Sequence, residues 1–151
     1  MNSIEKVIFK MAGIIDMQLM RYINLFARTT KVATTKVFVY NNQIVFCVPK
    51  KKVSLAIGKG ACNIRKMSET LRKKIKVVVM PSVEDEEGIC KFVEDVVAPI
   101  EVNSVELKNG VLNVNGGRQS KAALIGRNRM REKELAGVVK DFFGISRIKI
   151  S

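Results

Sequence analysis

The sequence predicts an α/β protein of the α+β kind, built from two tandem units that each run helix, strand, strand, helix, helix, strand. Three observations predict it. Apolar residues make up 47% of 151 residues, enough for packed cores and far more than a disordered basic tail carries. Apolar positions switch repeatedly between helical and strand spacing. The same order of elements then recurs at an offset of 68 residues.

The elements follow in chain order. Asp16 is placed to cap a first helix, on which Leu19, Ile23, Phe26 and Ala27 share one face. Two apolar runs, Val37 to Tyr40 and Ile44 to Val48, are split by Asn41-Asn42, a hairpin signal because Asn tolerates positive φ. Lys50 to Ile57 reads as a short helix broken at Gly58-Lys59-Gly60. Ile64, Met67 and Leu71 mark the next helix, and Ile75 to Met80 is a β-rich run closed by Pro81.

Ser82 and Asp85 frame the next helix start, with Glu84, Asp85, Glu86 and Glu87 in the first turn complementing the helix dipole. This helix should stop at Ala98, before Pro99. Strands fit Val102 to Lys108 and Val111 to Asn115 around Asn109-Gly110. A short helix after Gly116-Gly117 ends near Ile125, and Gly126-Arg127-Asn128-Arg129 forms the break. Leu135, Val138, Val139, Phe142 and Phe143 form a helical stripe, and Ile145 to Ile150 is the last strand. Residues 1–15 are read as an extension, 16–81 as the first unit and 82–151 as the second.

Charge is distributed unevenly. The chain holds 27 Lys+Arg against 14 Asp+Glu, a net charge of +13. All of that excess lies in residues 1–81, with 16 bases and 3 acids. Residues 82–106 hold one base and eight acids, and residues 107–151 ten bases and three acids. Clustered bases gain counterion-release free energy on phosphate, so a polyanion partner is expected.

Absences narrow the chemistry. With no His there is no imidazole base or metal ligand. Cys47, Cys62 and Cys90 form no CxxC pair, so neither zinc nor a disulfide framework is expected, and no cofactor. They read as apolar fillers in a reducing compartment, which places the chain in the cytoplasm. No apolar run is long enough to span a bilayer, no signal peptide is read, and no membrane partner is expected.

The glycine break carries the functional reading. Without a Cβ the backbone can approach a phosphate closely, the amides of the following helix point at it, and Lys59 adds a cation. A plain helical corner is the alternative. Gly58-Lys59-Gly60 lacks the remainder of a nucleotide P-loop.

Set in a repeated α-β-β-α-α-β unit, the break resembles the GxxG loop of KH domains of type II topology, which clamps four nucleotides of a single strand. The chain from about residue 15 to 150 is similar to the archaeal NusA family of transcription elongation and termination factors. Met17 to Phe26, Leu55 to Ile64 and Phe143-Gly144-Ile145 carry the likeness. The resemblance implies two tandem type II KH modules, each a three-stranded sheet packed against helices. It also implies non-catalytic binding of single-stranded RNA in transcription elongation, termination or antitermination.

Carried over residue by residue, the first loop is Gly58, Lys59, Gly60 and Ala61. Ala61 replaces a glycine there, and as the residue that begins a helix it is expected to need no positive φ. The second loop, Gly126, Arg127, Asn128 and Arg129, departs further, with Arg129 adding bulk where phosphate would meet backbone. Glu132 stands where the first unit has Ile64. The second unit is expected to bind weakly, to bind by side chains through Arg127, Arg129 and Arg131, or to serve as a scaffold. Bases are expected in a groove of Ile57, Ile64 and the strand Ile44 to Val48. Asn63, Arg65 and the Lys50-Lys51-Lys52 rail complete the expected RNA-binding set, while Arg72, Lys73 and Lys74 read as a solvated helix end. Two rival readings are an adaptor for RNA polymerase or a transcription factor, and a ribosome-associated KH protein.

Overall fold

The structure is a computed structural model and describes residues 17–34 and 36–151. The expected extension 1–15 and the expected cap Asp16 lie outside the described residues. Two compact units divide between Met80 and Pro81. Each is a three-stranded sheet packed against helices, in the order helix, strand, strand, helix, helix, strand.

In the first unit, α1 (Met17–Thr30) leads into β1 (Lys36–Tyr40) and β2 (Gln43–Val48). Met20, Ile23 and Phe26 recur at helical spacing and are buried, and Phe26 stacks on Phe46 with ring centroids 4.3 Å apart. Thr30 closes the helix. Its hydroxyl donates to the Phe26 carbonyl at 2.8 Å and accepts from the Val32 amide at 3.0 Å, so a buried hydroxyl is satisfied. Asn41 and Asn42 both take positive φ, 50° and 61°, as a type I′ hairpin turn requires.

A 3₁₀ turn (Lys50–Lys52) and α2 (Val53–Ile57) precede the glycine break. A second 3₁₀ turn (Lys59–Ala61), α3 (Cys62–Leu71) and β3 (Lys74–Val79) complete the unit. Strand β3 pairs parallel to β2, with Gln43 opposite Lys74 and Val48 opposite Val79. A parallel neighbour needs a crossover, and the α2–α3 pair is that crossover. The sheet order β1-β2-β3 puts β2 at the centre, and Ile44, Val45, Phe46, Cys47 and Val48 are 0–1% exposed. Burial drives the Cys47 thiol well above its ordinary pKa, partly offset by Lys36, which suits an inert filler.

The second unit opens at α4 (Glu86–Val97), later than the Ser82 start the sequence suggests. Asp85 is the cap, its side chain accepting from the Gly88 amide at 2.9 Å, and only Glu86 and Glu87 lie in the first turn. The cap nearer the apolar stripe wins because Ile89, Phe92, Val93, Val96 and Val97 must all face the core. Strands β4 (Ser104–Lys108) and β5 (Val111–Asn115) follow, then α5 (Gly117–Ile125), a 3₁₀ turn (Arg127–Arg129), α6 (Met130–Phe143) and β6 (Arg147–Ile150). Phe92 packs edge-on against Phe143 at 5.2 Å.

The 68-residue offset holds from the hairpin to the start of the second crossover helix and then breaks. α6 has 14 residues where α3 has 10, so the last strands are offset further than the expected Ile75–Met80 and Ile145–Ile150 imply. Parallel pairing is nevertheless equivalent, with Val111 opposite Arg147 where the first unit has Gln43 opposite Lys74. Among the described residues, no helix is long and apolar enough to cross a membrane.

Phe46 is fully buried at the centre of the first core. Phe46→Ala should therefore cost about 3–5 kcal/mol in urea unfolding, against less than about 0.5 kcal/mol for exposed Lys51→Ala.

Candidate functional site

The glycine break is fixed by one backbone conformation. Gly58 takes φ 80°, ψ 168°, a region that essentially only glycine occupies. It also has no room for a side chain. A Cβ there would lie 2.8 Å from Cys62 Sγ and 2.9 Å from Asn63 Nδ2. Gly60 follows at φ 61°, ψ 27°, and Ala61 at φ 60°, ψ 29°. Ala61 therefore departs from the expectation that it needs no positive φ. It is the residue before the helix rather than its first member, and two successive left-handed residues are needed to re-aim the chain into α3.

The bend determines which amides face outward. Gly58 N donates to Ser54 O at 3.0 Å, Ala61 N to Gly58 O at 3.1 Å, and Cys62 N to Lys59 O. The amides of Lys59 and Gly60 have no partner among the described residues. No side chain caps α3, in contrast with α4, where Asp85 occupies that position. Exposed Lys59 thus adds a cation to a loop with two unpaired donors and an uncapped positive helix end, an arrangement suited to an oxyanion.

Asn63 serves the bend itself. Its Nδ2 donates to the Leu55 carbonyl at 3.2 Å, tying the start of α3 to α2. Lys50, Lys51 and Lys52 are exposed on the 3₁₀ turn ahead of α2, and Arg65 is exposed in the first half of α3. Ile57 and Ile64 are half-buried and lie outside the buried cluster that forms the first core.

The structure does not bring the strand Ile44 to Val48 to this surface. It is the central strand, hydrogen-bonded on both sides and fully buried, so it offers neither side chains nor backbone to a ligand. The strand that lies beside α2 and α3 with a free edge is β3, whose Ile75, Val77 and Val79 are half-buried. Sequence reasoning also passed over Leu55, which is 52% exposed on α2. Its signal was available: a helix of five residues holding Val53, Leu55, Ala56 and Ile57 cannot turn every apolar side chain inward.

The second loop repeats the first almost torsion for torsion. Gly126 takes φ 74°, ψ 172°, Asn128 φ 56°, ψ 29° and Arg129 φ 59°, ψ 24°. Gly126 N donates to Ala122 O at 2.9 Å, Arg129 N to Gly126 O at 3.2 Å and Met130 N to Arg127 O, which leaves the amides of Arg127 and Asn128 outward. The sequence departure thus leaves the backbone unchanged. The side chains differ more. Arg129 is 75% exposed and lies 3.9 Å from Glu132, while Arg131 is half-buried, hydrogen-bonded to Glu134 and packed where a Cβ on Gly126 would lie. Arg127 is exposed.

Comparison with known proteins accords with this geometry. The KH domain family model matches residues 20–112, covering the described first unit from Met20 and running on through α4 and β4 into β5. The chain is 28% identical over 135 residues to the "Probable transcription termination protein NusA" of Methanococcus vannielii, covering 85% of this chain and 73% of that protein. The crystal structure of APE1850 is similar over 91% of this chain and 100% of that one, with a TM-score of 0.60 and 27% identity.

The bend makes a graded prediction for urea unfolding. Gly58→Ala should cost about 2–4 kcal/mol, from the forbidden φ/ψ and the close Cβ contacts. Gly60→Ala, whose Cβ would meet only Arg65 Nη2 at 3.8 Å, should cost about 1 kcal/mol. Ala61→Gly should stabilise by about 0.5–1 kcal/mol, since relief of the left-handed strain exceeds the added chain entropy.

Proposed function

The chain belongs to the KH domain family, and from that membership we propose that it binds single-stranded RNA without catalysing a reaction on it, in the setting of transcription. The observation that carries the reading is the pair of unpaired amides at Lys59 and Gly60, in a loop that carries an exposed cation and lies ahead of an uncapped helix. A backbone phosphate is held there by two N–H donors and the α3 dipole, with Lys59 neutralising charge. Gly58 is needed for the bend, Gly60 and Ala61 for the close approach, and Asn63 for rigidity. Arg65 and the Lys50-Lys51-Lys52 turn add long-range attraction.

Bases turn from the phosphates toward Ile57 and Ile64, with Leu55 beside them and the free edge of β3 as the opposite wall. Base edges bond backbone there, which needs no aromatic platform. The second loop offers Arg127 and Arg129 over an equivalent pair of amides, and Gly126 supplies its bend. Arg131, engaged by Glu134, acts as a support for that bend rather than as a phosphate ligand. The likeness to a probable termination protein supports a role in elongation, termination or antitermination.

A second reading rests on the acidic face of the other unit. Glu86, Glu87, Glu94 and Glu106, against Lys91 and Lys108, border a groove between α4 and the edge strand β4, around Cys90, Val105 and Leu107. Burial first, and then Glu94, Glu86, Glu106 and Glu87, hold the Cys90 thiol above its ordinary pKa. A face with this excess of carboxylates around an apolar floor suits a protein partner better than RNA, as an adaptor for RNA polymerase would need.

Binding of a randomised single-stranded RNA 12-mer tests the main reading. Lys59→Asp with Gly60→Asp should weaken it by about tenfold or more, equivalent to about 1.4 kcal/mol, with the fold retained because a Cβ on Gly60 would meet only Arg65 Nη2, at 3.8 Å, and Asp tolerates the left-handed backbone there. Wild-type affinity should fall with salt by about 0.7 log units per log unit for each phosphate held. Unchanged affinity in the folded variant rejects the cradle. Copurification with polymerase that survives nuclease treatment would favour the adaptor.

A further inference from the structure

A second basic concavity lies at the far end of α3 from the glycine loop. Asn41, Asn42 and Gln43 from the β1–β2 turn and Arg72, Lys73 and Lys74 from the α3–β3 connection line a cleft of about 430 Å³. Every lining residue is polar, three are cations and none is acidic. Among the described residues, no carboxylate forms an ion pair with Arg72, Lys73 or Lys74. Cations near a helix C-terminus are ordinarily explained by the dipole. That explanation accounts for their sign but not for their convergence with three amide side chains on one hollow.

Two comparisons within the chain set this end of the first unit apart from the matching end of the second. Arg72 and Lys73 connect α3 to β3, where the second unit has Gly144, Ile145 and Ser146 between α6 and β6. There the second unit keeps one cation where the first has three, since Arg147 stands opposite Val111 as Lys74 stands opposite Gln43, while Gly144-Ile145-Ser146 carry no charge. The helix cap differs in the same sense. Both helices end on a left-handed residue, Gly144 at φ 70° and Arg72 at φ 55°. Glycine is at home there and arginine is strained, so the first unit keeps a cation where the conformation favours none.

We propose that the cleft between the β1–β2 turn and the α3–β3 connection is a phosphate site, taking a backbone phosphate of the single-stranded nucleic acid beyond the nucleotides held at Gly58 to Ala61. The cations supply charge and Asn42 and Gln43 supply neutral donors, as oxyanion recognition requires. The ten residues of α3 separate this cleft from the glycine loop by about 15 Å. One strand reaches both only if it is longer than the four nucleotides of a single clamp. The proposal rests on the RNA-binding reading and extends its footprint.

The test uses the full chain, the randomised RNA 12-mer and four variants, each checked for folding by urea titration. Arg72→Gly with Lys73→Ala and Lys74→Ala removes the cations and puts glycine at the strained cap, so this variant should fold well. It should bind about tenfold more weakly near 0.1 M salt, with a log–log salt slope shallower by about 0.7, from the one phosphate no longer held. Asn42→Asp keeps the cations but puts a carboxylate in the hollow, at a φ that Asp tolerates, and should also weaken binding severalfold. Asn109→Asp makes the same charge change at the matching turn of the second unit and should leave binding unchanged. Equal effects of Asn42→Asp and Asn109→Asp would reduce the result to net charge and overturn the site. Wild-type binding by the two cleft variants, alongside lost binding by Lys59→Asp with Gly60→Asp, would overturn the cleft and leave the RNA reading intact. Wild-type binding by all the variants, the loop variant included, would overturn both.

Discussion

The bend at Gly58 is the constraint on which the rest of the first unit depends. The crossover from β2 to β3 must climb through α2, reverse, and return through α3 so that β3 can lie parallel to β2. The reversal takes place at a residue whose φ/ψ excludes side chains, and Cys62 and Asn63 close the space where a Cβ would sit. One geometric requirement of the fold therefore also leaves two amides unpaired at the surface. The unpaired donors come with the chain reversal rather than being added to it, and the dipole of α3 acts in the same direction.

The second unit shows that the bend is a property of backbone and not of a glycine count. Only Gly126 of its four loop residues is glycine, yet Asn128 and Arg129 hold the left-handed torsions of Gly60 and Ala61 to within a few degrees. Those torsions cost about 1–2 kcal/mol for a residue with a side chain, and the surrounding helices impose them. What changes between the units is the electrostatic setting. The first loop lies in a half of the chain where bases outnumber acids 16 to 3, the second in a unit whose first helix and edge strand carry a cluster of carboxylates. The two loops thus share a shape and differ in the field around them.

Packing decides which surfaces remain for a ligand. Phe46 is committed to Phe26, and Ile44 and Val48 to the same core, so the central strand is closed on both edges and buried. That commitment moves the open wall to β3 and leaves Ile57 and Ile64 as apolar residues that the core does not use. The connection after each crossover helix differs in charge. In the first unit Arg72, Lys73 and Lys74 line a cleft with the amide-bearing turn, while at the matching end of the second unit Gly144-Ile145-Ser146 are uncharged and Arg147 is the one cation.

Much of this was legible in the residues. Periodicity, turn asparagines and glycine breaks located nearly every element, since each reports a local backbone preference. The charge imbalance and Gly58-Lys59-Gly60 pointed to a phosphate partner for similarly local reasons. What the residues left open depended on partners distant in sequence. Whether Ile44 to Val48 was a groove wall or the centre of a sheet turns on which strands flank it, and nothing within that run records its neighbours. The left-handed torsion of Ala61, the helix start at Asp85 rather than Ser82, and the meeting of Arg72 with Asn42 were likewise settled by packing. Local sequence specifies what a segment prefers; only the assembled core decides which preference is overridden, because burying apolar surface outweighs the kilocalorie or so at stake in any one residue's conformation.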